Sequence, residues 1–107
     1  GKKELLLKYN VTVADGYIQI LDIFVPRIKN NYCYLSHKKS YYGRNGFAIF
    51  KNGKIVVSHQ TNEKDESVLG ASLQIEKKYY PNGDLISERK LPNFLRTKDI
   101  AVLNPYR

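Results

Sequence analysis

The residues with the clearest chemical capacity lie between positions 30 and 50, NNYCYLSHKKSYYGRNGFAIF. Tyrosines and phenylalanines are interleaved there with His37, Lys38, Lys39 and Arg44, and no acid intervenes. A binder of single-stranded nucleic acid needs flat rings on which bases stack and cations that neutralise phosphates. Each stacked base contributes roughly 1–3 kcal/mol. Lys38, Lys39, Tyr41, Tyr42, Arg44 and Phe47 are therefore the expected nucleic-acid-binding residues, with Tyr41 and Tyr42 stacking from a charged loop. Eighteen Lys and Arg against ten Asp and Glu give a formal net charge of +8, which draws anionic partners. The expected function is a non-catalytic basic domain binding single-stranded or structured RNA or DNA. The alternative is a viral, secreted or regulatory interaction module that docks on an acidic protein, because Tyr and Arg also dominate protein hot spots.

Catalytic chemistry finds less support. His37 and His59 could supply the acid and base of a ribonuclease if they met, with a nearby lysine steadying the phosphate. Asp65, Glu76 and Lys78 have the D-x(10)-E-x-K spacing of a nuclease metal site, but Glu76 and Lys78 read as a solvated charge pair on one strand. No phosphate-cradling glycine loop occurs, and one cysteine cannot build a Cys/His metal quartet, so neither metal nor cofactor is expected. Cys33 excludes an internal disulfide and is expected as a buried, inert thiol, with a cytoplasmic location favoured. No run approaches the ~18 apolar residues of a membrane span.

The elements that must position these residues read as strands. A chain of 107 residues is expected to form one domain, 1–107. ELLLKYNVTV places Leu5, Leu7, Tyr9, Val11 and Val13 on one face at period two, and Ala14-Asp15-Gly16 turns the chain into YIQILDIFV. Pro26 is expected to end that strand, with 27–31 as a polar connection, 32–35 as a short strand and 36–45 as a loop. GFAIF-K-NG-KIVVS is a strand, an Asn-Gly turn and a strand. Residues 59–67 contain no apolar side chain and are expected to be a solvated loop. A long strand over 68–80, with Gln74, Glu76 and Lys78 on its wet face, then turns at Pro81-Asn82-Gly83 into a strand over 84–91. The tail 93–107 is expected to add a short strand or one helical turn.

The resulting fold class is all-β: a single antiparallel meander of seven to eight strands, with little or no helix, closed as a small barrel or stacked as a two-sheet sandwich. Two local resemblances occur. Arg44–Phe50 resembles the first ribonucleoprotein motif of RNA-recognition domains, and Ile23-Phe24-Val25 the second. Ile49 occupies an aromatic position of that motif, and the intervening segment is too short for the helix and strand that fold requires, so the family is not assigned. Lys78–Leu85, with Ser87-Glu88 beyond, resembles one hairpin of the MORN-type repeat proteins; a single copy implies no repeat array.

Overall fold

The computed structural model describes residues 3–65 and 71–92. Among these residues seven strands run in chain order: β1 (Leu5–Val13), β2 (Gly16–Lys29), β3 (Tyr32–Arg44), β4 (Phe47–Lys51), β5 (Lys54–Asp65), β6 (Ala71–Tyr79) and β7 (Leu85–Pro92). They form two antiparallel sheets, β1-β2-β3 and β4-β5-β6-β7, with no helix among the described residues. Neither sheet closes on itself, so the barrel alternative is not met. The expected tail element lies outside the described residues, as does the expected start of β6 at residue 68. No described helix is long and apolar enough to cross a membrane.

The tight turns follow from residue type. Asn52-Gly53 takes φ of 53° and 76°, the positive pair that a two-residue primed hairpin turn requires. Asn30 (φ 51°) and Asn31 (φ 68°) do the same between β2 and β3. That second turn corrects the expected polar connection: β2 continues through Pro26 to Lys29, and β3 runs from Tyr32 to Arg44 without a loop. Pro26 is tolerated because β1 pairs with β2 only as far as Phe24. Beyond it β2 has a partner on one side alone, and a missing amide donor can face outward. β5 likewise extends through the expected loop at 59–67 as far as Asp65, paired with β6. Polar composition did not stop either strand, because backbone pairing to a neighbour satisfies donors and acceptors whatever the side chains are.

The core lies where the two sheets meet. Leu21, Ile23 and Tyr41 from the first sheet pack against Ala48, Ile55 and Val57 from the second, with Tyr79 at the edge. The link Asn45-Gly46 joins the sheets and is pinned from both sides. Asn45 donates its amide to the Tyr17 carbonyl (2.8 Å) and its Nδ2 to Gln60 Oε1 (2.6 Å), while Tyr17 donates its hydroxyl to the Gly46 carbonyl (3.0 Å). Gln74, expected on a wet face, is instead buried beneath this link, donating to Ser58 Oγ at 3.1 Å. A Cβ at Gly46 would stand 1.9 Å from the Ser58 carbonyl oxygen, a backbone atom that cannot swing aside. Gly46→Ala is expected to cost about 1–3 kcal/mol, the usual penalty of overpacking, read as a lowered urea midpoint at unchanged slope.

Candidate nucleic-acid interface

The side chains of the first sheet sort by register into two faces. Directly opposed residues share a face, so Lys39 (opposite Ile23) and Tyr41 (opposite Leu21) point inward with the core. Tyr42 (opposite Ile20) and Arg44 (opposite Ile18) point outward. The adjacent tyrosines expected to stack together therefore lie on opposite faces. Tyr41 is 5% exposed, its ring 5.0 Å from that of Tyr79, and burial pushes its hydroxyl pKa up. Tyr42 is 57% exposed.

The cations are divided as well. Lys38 occupies a bulge in β3 and pairs with Glu4; Arg44 pairs with Asp15. Lys39 sits 5.6 Å from the centre of the Tyr41 ring. Phe47 lies on the outer face of the other sheet. The six predicted residues thus share no common surface. Aromatic and cationic side chains do come together elsewhere, on two surfaces that alternation alone did not single out.

The first such surface is the outer face of the four-stranded sheet. Register aligns Ile49, Val56, Lys78 and Ser87 in one row across four strands and Phe47, Ser58, Glu76 and Arg89 in the next, with Lys51 directly opposite Lys54 at the hairpin end. The half-buried Phe47, Ile49, Val56 and Ile86 floor a shallow groove of about 540 Å³, and Lys51, Lys54, Lys78 and Arg89 rim it. Glu76 is its one acid and is taken by Arg89 (3.0 Å). Among the described residues no carboxylate pairs with Lys51, Lys54 or Lys78. A like-charge pair placed directly across two strands is unfavourable, so Lys51 and Lys54 together favour a bound anion. The flanks of the Asn-Gly turn carried this signal in the sequence, since one lysine on either side of a two-residue turn must face the other.

The second surface is the ribbon formed by β2 and β3 beyond Phe24. Arg27 stands opposite Tyr34 and Lys29 opposite Tyr32, alternating with Ile28 opposite Cys33 and Pro26 opposite Leu35. One ribbon face therefore carries two cation–tyrosine pairs and no acid, while the other is apolar. Cys33, expected to be buried, is exposed because nothing among the described residues packs on a two-stranded ribbon.

The outer face of the first sheet holds a polar cluster. Asp22 accepts hydrogen bonds from Ser40 Oγ and from the Tyr9 hydroxyl (2.8 Å), and His37 Nε2 lies 2.7 Å from Ser40 Oγ. The order is Asp–Ser–His rather than the Asp–His–Ser of a hydrolytic triad. The serine proton is committed to the carboxylate, so the histidine has no proton to take from it. His37 is on this outer face and His59 is on the core-side face of β5, so the two histidines do not meet as an acid–base pair. No group of three potential metal ligands occurs among the described residues. The Ser40 hydrogen bond, with that of Tyr9 and the charge of His37, holds the Asp22 carboxyl below its usual pKa. A depressed folded-state pKa stabilises the fold above the ordinary carboxylate value of about 3.9, and this stability is lost as pH falls through the folded value. Asp22→Asn is expected to flatten that acid limb, seen as a smaller loss of melting temperature on acidification from pH 6.

Comparison with protein-family models, with curated proteins and with solved structures gives no match.

Proposed function

We propose that this is a non-catalytic domain that binds nucleic acid across the outer face of its four-stranded sheet. One observation carries the reading: three lysines without carboxylate partners among the described residues, Lys51, Lys54 and Lys78, surround an apolar floor that includes Phe47. Cations at that spacing neutralise successive phosphates, and an apolar floor with a ring accepts unstacked bases, so a single strand fits better than a duplex. The cation–tyrosine pairs Arg27–Tyr34 and Lys29–Tyr32 add a second acid-free contact on the ribbon. The net charge of +8 supplies the long-range attraction that precedes either contact.

Fluorescence-polarisation titration with labelled mixed-sequence single-stranded oligonucleotides tests the reading. Binding is expected at ~50 mM salt, falling log-linearly as salt rises. No binding at that ionic strength, where phosphate contacts are strong, refutes it.

A second reading, protein docking, is favoured by a different observation: the outer face of the three-stranded sheet bares several large apolar side chains around its polar cluster. An acidic partner, however, has little to recognise there, because that face carries almost no net charge.

A further inference from the structure

The outer face of β1-β2-β3 is continuous with the apolar side of the ribbon. Leu5, Leu7 and Val11 on β1, Ile28 and Leu35 on the ribbon, and Tyr42 on β3 all lie on it, between 40% and 75% exposed. Together they bare on the order of 600 Å² of largely apolar surface, the upper end of what monomeric proteins leave open. No described residue covers it, and β1 is the outermost strand of its sheet, so its free edge borders the same face.

Charge points to the occupant. The molecule carries +8, yet on this face Arg44 is paired with Asp15, and the Asp22 carboxylate is held by Ser40 and Tyr9 beside His37. On this face, as the described residues form it, two equally basic chains can approach with little repulsion. The area also suits the purpose, since each partner in a stable complex contributes ~800 Å², and the half-buried Ile18, Ile20 and Phe24 lie beneath and between the exposed side chains. Asp22 need not stay wet in such a contact, because both carboxylate oxygens already accept hydrogen bonds within the chain.

We infer that a second copy of this chain covers the outer face of the three-stranded sheet, the two sheets packing face to face about a two-fold axis. Such an isologous contact uses one self-complementary patch twice, as a flat, nearly neutral sheet face allows. The inference is independent of nucleic-acid binding, which uses the other sheet and the other side of the ribbon.

Sedimentation equilibrium from ~1 to ~100 µM is the test, the range in which a modest apolar interface populates a dimer. The expected result is a species of twice the 12.4 kDa chain mass. Leu7→Lys and Tyr42→Lys each place two like charges in the contact and are expected to weaken association at least ~100-fold, with the β-sheet circular dichroism unchanged. A monomer throughout the range overturns the inference. So does a dimer that both lysine variants leave intact, which would assemble through another surface. Flotation with phosphatidylcholine vesicles supplies the remaining arm: a chain that stays monomeric in solution but floats with vesicles, and loses flotation with Leu7→Lys, would assign the face to lipid and overturn the second copy.

Discussion

Tyr41→Ala is expected to destabilise the domain by about 3–5 kcal/mol, the cost of removing a large buried ring from a packed core. Tyr41 is the aromatic side chain of the first sheet that reaches into the junction with the second, beside Leu21 and Ile23 and against Tyr79. Its loss leaves a cavity between two sheets that share few other large side chains among the described residues, so the walls can collapse only by shifting one sheet against the other. A domain of this size is stable by only about 5–15 kcal/mol, so the variant is expected to unfold at much lower urea or to populate the unfolded state outright. Tyr32→Ala, at a ring 75% exposed on the ribbon, is expected to change stability by less than about 0.5 kcal/mol. Urea denaturation of the pair separates a structural tyrosine from a displayed one. Equal stability of wild type and Tyr41→Ala would contradict the packing of Tyr41 between the two sheets.

Reversing the charge of Lys51, Lys54 and Lys78 together is expected to weaken oligonucleotide binding by at least ~100-fold at low salt and to reduce the salt slope by about two, at ~0.7 per phosphate contact for a single strand. The three side chains are exposed and make no ion pair among the described residues, so their replacement by glutamate breaks no native ion pair. Relief of the Lys51–Lys54 opposition does not arise in the triple variant, since both become acids; a Lys51→Glu single variant does relieve it and is expected to be slightly more stable than wild type. Fluorescence polarisation against salt measures the first effect and urea denaturation the second. An unchanged affinity in the triple variant would remove the groove from the interface. An equal loss in a Lys38→Glu, Lys39→Glu variant would return it to the middle of β3.

The division between sequence and tertiary structure can be followed residue by residue. Local chemistry was sufficient for the all-β class, for the Asn52-Gly53 and Pro81-Asn82-Gly83 turns, and for the presence of β1, because turn residues and period-two patterning act over a few positions; the face with Leu5, Leu7, Tyr9 and Val11, which the alternation suggested as half-buried, is exposed. It misled at 36–45 and 59–65, where charged and polar side chains suggested loops but a neighbouring strand takes up the backbone hydrogen bonds. Which ring is buried depended on pairing across the sheets. Tyr41 and Tyr42 are the same residue type one position apart, and only the meeting of β3 with β5 decided that the first packs inward and the second faces out. The grouping of Lys51, Lys54, Lys78 and Arg89 likewise comes from four consecutive strands brought into register by three pairings. Composition set the amount of positive charge on this chain, and the stacking of two open sheets chose the face that gathers it, because a strand fixes only the alternation of its side chains while the packed side is chosen by its neighbours.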